Sequence, residues 1–315
     1  MRNSNPKHQL NKLLAHIDGA YAENTLRAYK ADMSEFIEYC VSRGKKSLPA
    51  TPEVIASFLL DASNTRIKSA TIRRKVASIS AIHRLSNLAD PTKHSEVKLA
   101  VRKIQRKLGT KFKQAYPVTA SVLARLLQAC ATDLRGMRNK ALLLIAYDSM
   151  RRRSELVSLR VGDLVRDSDG LISILLRKSK TDQEGTGQWI HLGAAATTAL
   201  ENWLNLSKIR DGFILRGISP TNEVQGELSA GQIGRVFKCL AKKAGLCSEA
   251  IEGISGHSMR VGGAQDLLIK GASLPQIMVK GGWVKTDTAL RYIERLRRGY
   301  LPAETKAIAP YLEIL

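Results

Sequence analysis

The chain has 315 residues, enough for two domains of ordinary size, and 44% of them are apolar, so a packed core is expected. No apolar run reaches the ~18 residues of a membrane-spanning helix, and the first residues carry no apolar signal segment, so neither feature is expected. Lys and Arg outnumber Asp and Glu by 50 to 28, which gives a net charge of +22 and an isoelectric point near 10.1. The electrostatic field of such a positive charge attracts polyanions. Because the charge is spread along the chain, nucleic acid is a better candidate than a membrane surface.

The four cysteines form no CxxC pair, and no histidine lies at the spacing of a zinc ligand. A GxxxxGK[S/T] phosphate-binding loop is also missing from the sequence. We therefore predict no metal site and no cofactor, with free and mostly buried thiols in a reducing, cytoplasmic compartment.

Residues 8–108 are predicted to be almost wholly helical, in a bundle of four or five helices without strands. Apolar residues in 25–42 recur with a period of about 3.6, and Asn24 is the predicted cap of that helix. Pro52 opens the next predicted helix in its first turn. Residues 69–88 and 95–108 are predicted to form two more helices.

The last helix of this bundle is amphipathic and strongly basic. One face carries Val97, Val101, Ile104 and Leu108, and the other face runs into a basic linker, 109–117. Such a face is either solvated surface or a phosphate contact, and the unbalanced charge favours contact. The predicted DNA-contacting residues here are Arg102, Lys103, Arg106, Lys107, Lys111 and Lys113.

A second basic stretch, 66–75, could place a helix in a major groove. Its candidate DNA contacts are Arg66, Lys68, Arg73, Arg74 and Lys75. Gln232 and Arg235, further along the chain, complete the predicted set.

The second domain is predicted to span 118–315 and to be mostly helical with one small antiparallel sheet. A strand at 170–176, a polar turn at 182–187 and a return strand at 188–192 form that sheet. The predicted helices are 121–129, 138–147, 194–206, 228–244, 258–270, 274–280 and 287–297.

Several residues of this domain could act on a phosphate, although each alone has an ordinary structural reading. His257 and Arg260 are three apart in the first turn of a helix, where backbone N–H groups and a guanidinium both favour anions. One arginine of 151–153 lies near a core boundary, beside Glu155, which could orient it. Lys180 follows the first strand of the hairpin, and Tyr292 lies on an apolar helix face, where a core role is common.

Taken together, these residues resemble the tyrosine recombinases of the lambda-integrase family. The motifs that carry the resemblance are Arg152-x-Ser154-Glu155-Leu156, Gly256-His257-x-x-Arg260, and Gly281-Gly282-Trp283 followed by Tyr292. Many members have His at the position of Trp283, so the Trp narrows the resemblance to a part of the family. The resemblance implies a SAM-like, core-binding helical domain that clamps DNA and a mixed, mostly helical catalytic domain.

The resemblance also implies roles. Tyr292 would be the nucleophile, and Arg152, His257, Arg260 and Trp283 would contact the scissile phosphate, with Glu155 as the acidic partner. Lys180 would be the general acid, although Lys178 lies on the same side of the strand and remains an alternative.

The implied reaction passes through a 3′-phosphotyrosyl intermediate and a Holliday junction, without ATP or metal. The implied partners are double-stranded DNA with short inverted-repeat sites and three further copies of the chain, since a homo-tetramer acts on two sites. The apolar segment 299–315 could pack on its own subunit or dock on a neighbouring protomer, and the resemblance favours the neighbouring protomer. A type IB topoisomerase, a regulator that only binds DNA and a metal-dependent transposase are the alternatives. The N-terminal bundle, Trp283 and the apolar tail favour the recombinase over the topoisomerase. The filled catalytic positions argue against a regulator, and the sequence offers no carboxylate cluster for a transposase.

Overall fold

The computed structural model of the chain describes residues 5–109, 114–179 and 185–297, the side chains of the last four residues excepted. The chain divides into two compact units, Met1–Phe112 and Lys113–Leu315. In the described part, no helix is both long enough and apolar enough to cross a membrane.

The first unit is a helical bundle, as predicted. A short 3₁₀ turn, Pro91–Lys93, precedes its last helix. The α-helices are α1 (Pro6–His16), α2 (Glu23–Ser42), α3 (Pro52–Ser63), α4 (Ser69–Leu85) and α5 (Ser95–Leu108).

The predicted cap of α2 is wrong. The helix begins one residue earlier than Asn24, and its cap position is Ala22, which offers no side-chain acceptor. The Asn24 side chain accepts a hydrogen bond from Arg27 Nη1 at 3.1 Å instead.

The core of the first unit forms where the apolar faces of α2, α3 and α5 meet. Phe36 and Phe58 pack with their ring centroids 5.1 Å apart. Val97 and Ile104 are 1% exposed, so the apolar face predicted for α5 is confirmed.

Lys75 is part of this interior, and its predicted contact with DNA is wrong. The residue is 2% exposed, and its Nζ pairs with Glu35 and lies 3.7 Å from Asp32. A buried ammonium needs such partners, because an unpaired charge in the interior is costly. Lys75 therefore holds α4 against α2 and does not reach solvent.

The second unit contains the remaining helices and all strands of the described residues. Its helices are α6 (Ala120–Gln128), α7 (Leu134–Ser149), α8 (Arg153–Val157), α9 (Ala194–Ser207), α10 (Ala230–Lys243), α11 (Ser248–Gly253), α12 (Ser258–Ile269), α13 (Leu274–Gly281) and α14 (Thr286–Arg297). Its strands are β1 (Leu164–Arg166), β2 (Ile172–Leu176), β3 (Gln188–His191), β4 (Arg216–Ile218) and β5 (Val224–Glu227).

The predicted hairpin is β2 and β3, which pair antiparallel with Ser173 opposite His191 and Leu176 opposite Gln188. The mainly helical fold class is confirmed, but the prediction of one sheet is wrong. Among the described residues β1 extends the hairpin to three strands, and β4 pairs with β5 in a second sheet. These extra strands have only three or four residues, too few for an alternating pattern to stand out.

Helix α12 lies unusually close to the segment that opens the unit. The Val118 N–H donates to Ser258 O at 3.1 Å, and a Cβ at Gly262 would lie 1.8 Å from Val118 O. Tyr116 N likewise donates to Gly253 O at 2.9 Å, so the end of the predicted linker is part of this unit. These contacts fix α12, which carries His257 at its cap position and Arg260 in its first turn.

All four cysteines are free, as expected, but the expectation of mostly buried thiols is wrong for two of them. Cys40 and Cys130 are buried, which raises the pKa of each thiol to about 11. Cys239 and Cys247 are exposed.

Candidate active site

Arg260 is the centre of the candidate site. Its side chain is wholly buried, and its Nη1 donates to the carbonyl oxygen of Met150. Met150 ends α7 in the left-handed region, with φ of 50°, and this turn of the chain aims its carbonyl at α12. Helix α12 and the end of α7 therefore hold the guanidinium between them.

Two aromatic rings cover the Arg260 guanidinium. Its carbon lies 4.8 Å from the ring centroid of Trp283 and 5.6 Å from that of Tyr292, both within cation–π range. Burial lowers the pKa of Arg260, the nearby Tyr292 hydroxyl raises it, and the Arg152 guanidinium lowers it. An arginine stays charged under such shifts.

The Arg260 guanidinium is incompletely bonded. Its Nε and Nη2 are buried, and neither has a hydrogen-bond partner within the described part of the chain. Trp283 Nε1 is in the same condition. Buried donors normally have partners, so three unpaired donors beside one tyrosine indicate a place for an anionic group.

Tyr292 is fixed by its ring and by its backbone. Its ring packs on Trp283 at 4.7 Å between centroids, and Ala289 and Ile293 of the same helix are buried in the small core beside them. The Tyr292 carbonyl accepts hydrogen bonds from Gln265 Nε2 at 3.3 Å and Gln114 Nε2 at 3.2 Å. The hydroxyl therefore sits on a rigid element beside the unpaired donors.

Arg152 occupies the cap position of α8, and Glu155 in the first turn of that helix holds it. Glu155 Oε2 accepts from the Arg152 backbone N–H at 2.9 Å, and Oε1 accepts from Arg152 Nη1 at 2.6 Å. The Glu155 side chain is 3% exposed and the Arg152 side chain 21%. Both carboxylate oxygens are thus engaged in orienting Arg152.

Sequence reasoning did not predict the burial of Arg151. It is 4% exposed, with Nη1 donating to Gln188 Oε1 at 2.8 Å and Nη2 to Lys280 O at 3.0 Å. Burial lowers its pKa to about 10. The one available signal was the position of an arginine triplet at a core boundary, which could not say which member turns inward.

His257 lies at the cap of α12 with its side chain exposed and its backbone N–H donating to Ser255 Oγ at 3.2 Å. The neighbouring Gly256 packs under the Arg153 side chain, which joins the start of α8 to the start of α12. Lys180 lies outside the described residues, so its assignment and the Lys178 alternative stay predictions.

Nine of the proposed DNA contacts lie at accessible positions. Arg66, Lys68, Arg73, Arg74, Arg102, Lys103, Arg106, Lys107 and Arg235 are exposed. Arg74 pairs with Asp32 at 3.0 Å, and Lys107 donates to Asn64. Gln232 is half-buried, and its amide oxygen accepts from Ser229 N at the cap of α10. Lys111 and Lys113 lie outside the described residues.

Residues that could hold a metal do not cluster within the ranges that the structure describes. What the site contains instead is cationic and donor-rich: two held arginines, an indole N–H and a phenol on adjoining helices. Such an arrangement can bind a phosphate and stabilise negative charge that develops on it while the phenol attacks.

The comparisons with known proteins agree with this geometry. The phage integrase family model matches residues 116–297, and the model of the phage integrase N-terminal SAM-like domain matches residues 11–87. The first match covers more than half of the chain. The chain therefore belongs to the phage integrase family, and it is an enzyme of the tyrosine recombinase class.

Curated relatives match over nearly the whole chain. The integrase/recombinase xerD homolog of Selenomonas ruminantium is 30% identical over 295 residues, covering 90% of this chain and 85% of the relative. The recombinase cre of Escherichia phage P1 is 26% identical over 310 residues, covering 93% and 89%. The resemblance to tyrosine recombinases that the motifs indicated is confirmed.

Solved structures share the fold. The XerH site-specific recombinase bound to palindromic difH substrate, a post-cleavage complex, superposes with a TM-score of 0.66 at 17% identity, covering 93% of this chain and 83% of that one. A lambda integrase dimer bound to a core site gives 0.62 at 20% identity, covering 94% and 78%.

Proposed function

We propose that this recombinase cleaves and rejoins DNA at a specific site through a covalent bond between Tyr292 and a 3′ phosphate. The observation that carries the proposal is the Arg260 guanidinium, wholly buried with Nε and Nη2 unpaired among the described residues, beside the Tyr292 ring. A desolvated cation of this kind is costly unless an anion completes its bonds. A DNA phosphate is the anion that a chain of net charge +22 would attract.

In the proposed step the Tyr292 hydroxyl oxygen attacks the scissile phosphorus as its proton passes to solvent water. The bond from phosphorus to the 5′ oxygen breaks, and that oxygen takes a proton, for which Lys180 is the proposed donor. The product is a 3′-phosphotyrosyl ester and a free 5′ hydroxyl. Attack by a 5′ hydroxyl on the ester reverses the step, so the bond energy is kept and neither ATP nor a metal is needed.

The donors around Tyr292 have separate tasks. Arg260 and Arg152 bind the nonbridging phosphate oxygens and stabilise the charge that builds up in the transition state. Trp283 Nε1 and His257 donate further hydrogen bonds to the same group. Glu155 takes no part in proton transfer, since both of its oxygens accept from Arg152.

We also propose the assembly in which the reaction occurs. Four copies of the chain bind two DNA sites, each a short inverted repeat, and exchange strands in pairs through a Holliday junction in the cytoplasm. The names of the relatives support strand exchange as the outcome, because cre and the Xer proteins are named recombinases. The exposed arginines and lysines of α4 and α5 are the proposed phosphate contacts of the first unit.

Covalent capture tests the proposal and identifies the DNA target sequence in one experiment. The wild-type protein is incubated with a pool of randomised duplexes, and DNA that stays attached after boiling in detergent is sequenced. We expect an inverted repeat, and we expect Tyr292→Phe to retain binding to the selected DNA but form no adduct. An adduct with Tyr292→Phe would show that the nucleophile is another residue.

The matched control is Tyr116→Phe, a tyrosine of the same unit that packs against its main core. It should form the adduct as the wild type does. Plasmids with two selected sites then separate strand exchange from the relaxation of supercoils that a topoisomerase would give. A wild-type protein that captures no DNA from the pool would refute the proposed function.

A further inference from the structure

Arg151 joins three parts of the site that are far apart in the chain. Its backbone lies between Met150, whose carbonyl holds Arg260, and Arg152. Its side chain runs to the start of β3, where Nη1 donates to Gln188 Oε1, and to the end of α13, where Nη2 donates to Lys280 O. The segment that carries Arg152, and whose Met150 carbonyl holds Arg260, is therefore tied to the hairpin and to α13.

The bond to Lys280 lies directly before the Trp283 turn. A cation at the C-terminus of a helix is favourable, because the last carbonyls are unpaired and carry partial negative charge. Lys280 is held at its other end too, since its Nζ donates to Asp148 Oδ1 at 2.7 Å. Both contacts of Lys280 thus lead back to the end of α7 and the residues that follow it.

The turn itself is shaped to accept the Arg151 side chain. Gly282 has φ of 63°, and a Cβ at this position would lie 2.3 Å from Arg151 Nη1. The guanidinium therefore packs against bare backbone, one residue before Trp283. Arg151 is therefore in contact with the residue before Trp283, whose ring covers Arg260 and stacks on Tyr292.

Burial of Arg151 is not explained by stability. Its Nε is buried without a partner within the described residues, and an incompletely bonded buried cation is a poor source of stability compared with an apolar side chain. The reduced pKa of about 10 reflects the same loss of solvent. The geometry of its two hydrogen bonds points to a role in alignment.

We propose that Arg151 is a positioning residue that fixes Trp283 against Arg260 and Tyr292 by tying the end of α13 to β3. The proposal rests on the proposed function, because it assigns Arg151 to the reaction at Tyr292. Arg151 does not touch the phosphate, so it acts on the rate of attack and leaves DNA affinity unchanged.

The test measures both quantities with the full-length protein and a captured DNA site. Arg151→Leu should slow covalent capture under single-turnover conditions by about ten- to a hundredfold, the range that a displacement of about 1 Å produces. The dissociation constant for DNA should not change. Arg151→Lys can reach one of the two acceptors and should lie between Arg151→Leu and the wild type.

Arg138→Leu is the matched control. Arg138 is also buried, at 5% exposure, and it also bonds one backbone carbonyl, of Arg216, and one side-chain amide, of Asn139. Burial lowers its pKa to about 10 as well. It lies near the opposite end of α7 from Arg151, so its replacement should leave the capture rate of folded protein at the wild-type value.

Hydrogen exchange gives a readout that does not depend on catalysis. Peptides that cover 186–191 and 281–285 should exchange faster in Arg151→Leu than in the wild type, and Arg138→Leu should leave both unchanged. If Arg151→Leu does not fold, Gln188→Ala removes one of the two bonds and should reproduce a smaller form of both effects.

The outcomes separate the two proposals. Failure of the wild type to capture DNA refutes the proposed function. Wild-type capture together with an unchanged rate in Arg151→Leu overturns the role of Arg151 alone. An equal loss of rate in Arg138→Leu would also overturn the role of Arg151, because it would mean that the loss of any buried arginine slows the enzyme.

Discussion

Replacing Glu155 by Gln changes the side chain that orients Arg152 while keeping its size and shape. The carboxylate accepts from the Arg152 backbone N–H at 2.9 Å and from Nη1 at 2.6 Å. A glutamine has one acceptor oxygen, so its NH₂ group must face one of these two donors. The residue is 3% exposed, and water cannot replace the lost bond.

The size of the effect follows from these contacts. A hydrogen bond to a charged group contributes about 1.5–3 kcal/mol to stability, and Arg152 is mostly shielded from solvent. Taking about 2 kcal/mol as the cost of holding Arg152 in place, capture should slow by about thirtyfold, since ~1.4 kcal/mol is a factor of ten. DNA affinity, which depends on many phosphate contacts, should stay close to that of the wild type.

The assay is single-turnover capture on a nicked substrate that releases a short 5′ fragment and traps the adduct, with binding measured separately. Glu201→Gln is the control, because it also removes an arginine partner, Arg166, but from a more exposed pair that contributes little. A Glu155→Gln variant that captures DNA at the wild-type rate would show that Glu155 does not position Arg152.

Two further predictions concern stability. Gly262→Ala places a methyl group 1.8 Å from Val118 O and should destabilise the protein by about 3 kcal/mol or more. Thermal unfolding measures the effect, with Gly226→Ala as the control, because a Cβ there would meet no atom within 4 Å. An unchanged melting temperature in Gly262→Ala would contradict the close approach. His83 is buried with Nε2 accepting from Ala50 N, and burial lowers its pKa. His83 is therefore neutral in the folded protein. The stability that it contributes is complete above the pKa that His83 has in the unfolded chain. That stability is lost as the pH falls through the lower pKa that His83 has in the folded state. Chemical denaturation between pH 5 and 7 should show a flatter pH dependence in His83→Gln, and equal slopes would refute the assignment.

The sequence predicted what depends on local periodicity. Helix α5 matches the predicted range 95–108, and its apolar face is buried. Short strands such as β4 and β5 were missed, because three or four residues cannot establish a period and their pairing is a tertiary event.

The same distinction between local and long-range features applies to the candidate site. The motifs predicted which residue types carry the chemistry, and the structure brings Arg152, Glu155, Arg260, Trp283 and Tyr292 to one place. Partners far apart in the chain were not predictable. Lys75 looked like one more basic residue in a basic run, and only the fold pairs it with Asp32 and Glu35.

The unpaired donors of Arg260 affect how the protein would respond to selection for stability in the absence of DNA. Burying an incompletely bonded ion lowers stability by an amount on the order of several kcal/mol. Selection for heat resistance alone would favour an apolar side chain at this position, such as Met. Thermostability screens of this enzyme that ignore activity should therefore enrich substitutions of Arg260, and the proposed role of Arg260 predicts that these stable variants no longer cut DNA.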